Sequence, residues 1–211
     1  AEPLVSIRKI GDRQMLSLSA SGLDDRYAFD GESIAKELSL LLCNAIFEPN
    51  LNGDAFVESE VEQERRQLLD VIDSEFNDKR IYANSQLIKN MCGDEVFGLA
   101  RYGTADKIKS ATPQSLYETW KRLLNTAVVE IMYIGDSSPD SAREVFKNAF
   151  SKFDRKPAIL ETKIVRTASE AKHISEEMEL SQSKLVMGFR TDCAVPDSDV
   201  IAERLMCAIL G

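Results

Sequence analysis

Histidine is almost missing from this chain, with His173 the single copy among 211 residues. A metal site that needs two histidines cannot be assembled from this sequence alone. The motifs of nucleophilic, nucleotide-binding and zinc-dependent enzymes are also missing: G-x-S-x-G, G-x-x-x-x-G-K-[ST], G-x-G-x-x-G, H-E-x-x-H and H-x-x-E-H. His173 follows Lys172 and precedes Glu176, a polar setting in which we interpret it as a surface residue rather than a catalytic one.

Basic residues are the minority, since 26 lysines and arginines face 35 acidic residues and give a formal net charge of −9. A phosphate backbone would be repelled, so nucleic acid is not an expected partner. Long apolar runs are also lacking: the longest, residues 38–47, is broken by Ser39 and Asn44 and is too short to cross a bilayer. Without a targeting pattern at the N-terminus, we predict a cytoplasmic protein with no membrane partner.

Cysteine is sparse and unpaired in sequence. Cys43, Cys92, Cys193 and Cys207 are widely separated and form no C-x-x-C pair. Cys43, Cys92 and Cys207 have apolar neighbours, which predicts reduced, buried thiols, with a redox or metal role as the alternative.

Both ends of the sequence predict a segment of a longer polypeptide. Ala1 is not an initiator methionine, and the sequence stops within an apolar helical stripe at residues 206–211. The absences described above therefore apply to this segment.

Hydrophobic periodicity and capping residues predict an α+β protein. Val5–Ile7 and Met15–Ala20 alternate around Gly11-Asp12 as a strand pair would. The other predicted elements are helices from Asp30 to Phe47, from Ala55 or Glu58 to Phe76, from Tyr82 to Gly93, from Thr112-Pro113 and from Ser138-Pro139, a buried strand at 128–134, a second hairpin at 174–178 and 184–191, and a helix from Asp197. We expect antiparallel sheet with helices packed on one face, Trp120 serving as a core anchor.

The order of elements indicates an internal repeat. Residues 172–211, a hairpin followed by an apolar helix, repeat the order of residues 4–47. Residues 154–171 contain Pro157 and mixed polarity, as a linker does. We predict a first repeat ending near residue 153, a linker at 154–171 and a truncated second repeat at 172–211.

Acidic residues are most concentrated at Glu58, Glu60, Glu62 and Glu64. Alternate positions do not share one face of a helix, and acidic side chains are favoured in a first helical turn by the helix dipole. We interpret the first three as a solvated helix start.

Several motifs, taken in order, resemble the insulinase/pitrilysin-type zinc metallopeptidases. Phe47-x-Pro49-x-Leu51, Phe56-x-x-x-x-Val61-x-x-Glu64-Arg65-x-x-Leu68-Leu69-x-x-Ile72, Tyr82-Ala83, Tyr102-Gly103 and Ile134-Gly135-Asp136 are similar to the later part of the first repeat. Residues 181–190 and 209–211 resemble the start of the second repeat. Asn77-Asp78-Lys79-x-x-Tyr82-Ala83 and Gln182-x-Lys184-Leu185-x-Met187-Gly188 are similar to a bacterial, non-catalytic branch whose members pair with an active relative.

The resemblance implies a lost metal ligand. Active members carry an inverzincin H-x-x-E-H helix, which would lie upstream of Ala1, and a glutamate seven positions after that of the Glu-Arg pair. Counting from Glu64 reaches Val71, whose side chain cannot ligate zinc. Asp70 and Glu75 would serve only in a shifted register, and Glu64 would be a remnant that supports ligands. We therefore predict no catalytic residue, no metal ligand and no cofactor in this chain, zinc belonging to active relatives.

The function implied by the resemblance is non-catalytic. The chain would form part of a peptide-binding chamber with an active metallopeptidase-like partner subunit, or would self-associate through residues 172–211. Two alternatives stay open: a segment of an active zinc endopeptidase whose H-x-x-E-H helix lies upstream, and a structural or assembly subunit that handles no peptide.

Overall fold

A computed structural model describes residues 3–10, 13–29, 31–136, 138–161, 165–167, 170–193 and 197–210. Its helices are α1 Ile34–Phe47, α2 Glu58–Asn77, α3 Lys79–Met91, α4 Ala105–Ser110, α5 Pro113–Thr126, α6 Asp140–Phe150 and α7 Val200–Leu210. Its strands are β1 Leu4–Ile10, β2 Arg13–Ser19, β3 Leu51–Asn52 and β4 Ala55–Phe56, and short 3-10 turns lie at Asp25–Tyr27 and Val96–Gly98. In the part of the chain so described, no helix is both long and apolar enough to cross a membrane.

The predicted α+β class is confirmed, and the first strand pair lies where alternation placed it. β1 and β2 form one two-stranded sheet. β3 and β4 form a second, antiparallel pair in which Leu51 faces Phe56. Gly53 takes a φ of 63° in the connecting turn, a conformation that glycine adopts without steric cost. The sequence predicted only that a helix stops in this region.

Helix starts follow the predicted capping logic in two places. The Thr112 side chain accepts a hydrogen bond from the Ser115 backbone, and Pro113 occupies the first turn of α5. Asp78 interrupts the long helical stretch by capping α3, accepting from the backbone nitrogens of Arg80 and Ile81. The predicted break at Asn77-Asp78 is therefore confirmed.

At α1 the cap differs from the prediction. Ser33 accepts a hydrogen bond from the backbone nitrogen of Lys36 and so begins the helix. Asp30, the predicted cap, lies outside the described residues.

Two predictions of strands were wrong. Residues 128–134 form no strand, and Met132 and Ile134 are 87% and 89% exposed rather than buried. Residues 174–178 and 184–191 likewise form no strand. Strand preference reflects packing against neighbouring strands, and the described residues supply no such neighbours to these segments.

The chain divides into two compact units. Unit 1 contains β1, Gln14–Asp70 and Arg101–Glu161, and unit 2 contains Val71–Ala100 and the described residues from Val165 onward. The predicted repeat boundaries at residues 153 and 171 stay a prediction.

The core of unit 1 lies between α1 and α6. Its buried side chains are Ser39 and Cys43 on α1 and Ala142 and Phe146 on α6. Phe47 stacks on Phe153 and meets Phe150 edge to face, with ring centroids 5.0 Å apart in both pairs. Apolar and aromatic packing of this kind holds the helices together.

Trp120 links α5 to α1. Its indole nitrogen donates to the carbonyl oxygen of Ile46 at 3.1 Å while the ring is partly buried. A tryptophan in a core is expected to find such a partner for its N–H group. Trp120 is therefore the anchor that the sequence predicted.

The cysteines divide into two groups. All four are free thiols; Cys43 and Cys92 are buried, Cys193 is intermediate and Cys207 is exposed. The prediction for Cys207 was wrong because the described residues do not cover the apolar stripe of α7, on which Ile209 is 84% exposed. His173 is exposed, as we interpreted it.

Replacing Phe146 by alanine should lower the free energy of unfolding by about 3 kcal/mol, because it empties the contact between α1 and α6. Urea denaturation measures the change. Met132→Ala, at a side chain that is 87% exposed, is the control and should change stability by less than about 0.5 kcal/mol. Equal effects of the two substitutions would contradict this description of the core.

Candidate functional site

The Glu-Arg pair lies on α2 with its two members in different surroundings. Glu64 is exposed to solvent, while the side chain of Arg65 is 15% exposed. In a helix, adjacent residues point about 100° apart, which places them on different sides of α2. Glu64 therefore stands free at the surface while Arg65 reaches inward, and its role as a remnant stays a prediction.

Arg65 clamps the loop that joins α4 to α5. Its Nη1 donates to the carbonyl oxygens of Ile108 at 2.6 Å and Lys109 at 2.9 Å, and its Nη2 donates to that of Ala111 at 2.9 Å. Its Nε donates to Glu62 at 3.1 Å. The carbonyls at the end of a helix have no partner within it, and the planar guanidinium supplies several donors at once. Arg65 is a structural clamp.

The position expected to carry the third zinc ligand is occupied by a half-exposed valine. Val71 lies seven residues after Glu64, which in an α-helix brings it back to within about 20° of the same face. It is 36% exposed. Its side chain holds no atom that could bind a cation.

The two acids considered for a shifted register lie on either side of Val71. Asp70 is exposed and points about 100° away from Val71 around the helix axis. Glu75 is partly buried on nearly the same face as Val71, about 6 Å further along the helix. The chain thus offers one carboxylate near that face and a second pointing elsewhere.

These residues do not fit a zinc site. Zinc in a hydrolytic centre needs three protein ligands, drawn from histidine, cysteine and carboxylate side chains. Among the residues that the structure describes, no three such side chains are grouped to hold a metal ion. No catalytic step through zinc can be derived from this chain.

A shallow cleft of about 490 Å³ borders Arg65 in unit 1. It is lined by Glu58 and Glu62 from α2 and by the loop 109–113. The Arg65 guanidinium already donates to backbone carbonyls, so this cation of the lining is not available to a substrate.

A second cleft, in unit 2, runs from Thr191 to Met206 and contains Cys193. Burial, followed by a hydrogen bond involving Glu203, raises the pKa of the Cys193 thiol. The thiolate is the reactive form of cysteine, so a raised pKa keeps this thiol protonated at neutral pH. Cys193 is therefore poorly suited to act as a nucleophile.

The most buried charges in unit 2 belong to Arg190 and Glu95. Their side chains are 11% and 7% exposed and form an ion pair. Arg190 Nη2 also donates to the carbonyl oxygen of Met91 at 2.6 Å, and Nη1 donates to that of Val165. Glu95 also accepts a hydrogen bond from the Val165 backbone at 3.2 Å. The pair joins three separate segments, and its hydrogen bonding raises the pKa of Arg190.

Two further contacts in unit 2 place Glu176 and Gly188 against α3. The Tyr82 hydroxyl donates to the carboxylate of Glu176, with oxygen–oxygen distances of 3.0 and 3.1 Å. Gly188 lies so close to the helix that an added Cβ would stand 2.6 Å from the sulfur of Met91 and 3.2 Å from Leu87. A side chain at position 188 would require the side chains of Met91 and Leu87 to shift.

Sequence reasoning missed the Arg65 clamp, the Arg190–Glu95 pair and the Tyr82–Glu176 contact. The last two join residues 95 and 94 positions apart in sequence, a separation at which periodicity carries no signal. A local signal existed only for Gly188, because an isolated glycine in a strand-like run marks a close approach of the backbone to a neighbour.

Replacing Arg65 by lysine should lower the free energy of unfolding by about 2 kcal/mol, because one ammonium cannot reach the carbonyls that the guanidinium fork serves. Urea denaturation measures the loss. Arg66→Lys on the exposed neighbouring position is the matched control and should cost less than about 0.5 kcal/mol. Equal stabilities of the two variants would show that the clamp contributes nothing.

Replacing Glu95 by glutamine should lower the free energy of unfolding by about 3 kcal/mol, because it leaves the buried Arg190 without a counter-charge. The exposed neighbour supplies the matched control, Asp94→Asn, which should leave stability within about 0.5 kcal/mol of the parent. Hydrogen exchange of the α3 amides should accelerate in the first variant only. Unchanged exchange in Glu95→Gln would contradict the assigned role.

Comparison with known proteins gives two matches in sequence. Residues 110–211 match the model of the peptidase M16 inactive domain. The chain is also 26% identical over 205 residues to the probable inactive metalloprotease YmfF of Bacillus subtilis (strain 168). That match covers 97% of this chain and 48% of YmfF, so the chain spans about half the length of this curated relative.

A solved structure gives a match in fold. A conserved protein from Enterococcus faecalis V583 is similar with a TM-score of 0.54 and 23% identity, over 59% of this chain and 29% of that one. At this identity the likeness concerns the fold alone. The assignment of the segments to two repeats stays a prediction. Together with the motifs around Glu64-Arg65 and Gln182–Gly188, the sequence matches make this chain similar to the insulinase-like M16 peptidases, with residues 110–211 resembling their inactive domain.

Proposed function

We propose that this chain forms part of a peptide-binding chamber in which a metallopeptidase-like partner subunit supplies the zinc chemistry. The observation that carries the proposal is Val71, an aliphatic side chain at the position where the family resemblance places a carboxylate ligand. The matching domain is of the inactive kind, and the curated relative is named as a probable inactive metalloprotease.

Uncovered apolar residues support a role in an assembly. Residues 128–134 in unit 1 have the composition of a strand, yet Ile131, Met132 and Ile134 are 53%, 87% and 89% exposed. In unit 2, Leu185 and Phe189 are 84% and 63% exposed. Segments of this composition pair readily with strands or with extended peptides. The wall of a peptide-binding chamber would use such segments both to pair with strands of a partner subunit and to bind a peptide.

The alternative, a segment of an active zinc endopeptidase, has less support because of the same α2 position. It requires two histidines from an upstream helix and a third ligand from α2, where Asp70 points away from the Val71 face and Glu75 lies one turn beyond it. Helix α2 keeps Arg65, which has a structural role, and carries Val71 where the resemblance places a zinc ligand. This combination is expected of a protein that keeps a fold without its catalytic activity.

The full natural chain that contains this sequence should hold far less than one zinc ion per molecule, because no carboxylate occupies the Val71 position. Metal analysis after dialysis against micromolar zinc measures this. Asp70→Ala and Glu75→Ala should leave the zinc content unchanged. Val71→Glu tests the lost position directly, with Val71→Gln as the matched control that has similar size and no charge.

A gain of zinc in Val71→Glu that Val71→Gln does not share would show that the loss is confined to this one ligand. Stoichiometric zinc in the parent protein, removed by Asp70→Ala or Glu75→Ala and accompanied by peptide cleavage, would overturn the proposal. A parent protein that binds no extended peptide and leaves the cleavage activity of a metallopeptidase-like partner unchanged would instead favour an assembly subunit.

A further inference from the structure

We draw no further inference here: the strongest candidate, the exposed apolar face of α7 formed by Ile201, Leu205 and Ile209, is an unpartnered helix surface, and nothing in the part of the chain that the structure describes shows what covers it.

Discussion

The ion pair between Arg190 and Glu95 is the constraint on which the arrangement of unit 2 depends. No strand pairing among the described residues holds the segment around position 188 against α3, so its place is fixed by side chains instead. Both charges are nearly excluded from solvent, and separating a buried pair costs far more than separating an exposed one. The segment is therefore held in one register, with Gly188 permitting the close approach.

Two positions of α2 differ in what they contribute to the structure. The Arg65 guanidinium satisfies three backbone carbonyls, two in the last turn of α4 and that of Ala111 just after it, a task that only a planar, multi-donor group performs well. Val71 carries no comparable structural duty, because a half-exposed position on a helix accepts many side chains at little cost. A change of side chain at position 71 would thus leave the Arg65 clamp intact.

Local features were predictable from the sequence, and distant pairings were not. Some features depend on residues within a few positions of one another and can be predicted from local sequence patterns. These are the caps at Asp78 and Thr112 and the strand pair β1–β2. Residues 128–134 carry a strand composition, yet strand formation needs neighbours that lie elsewhere in a chain or in another one. The absence of a zinc ligand at Val71 stays a prediction, made by counting from Glu64 in a family pattern, and the Arg190–Glu95 pair gives no periodic signal in the sequence.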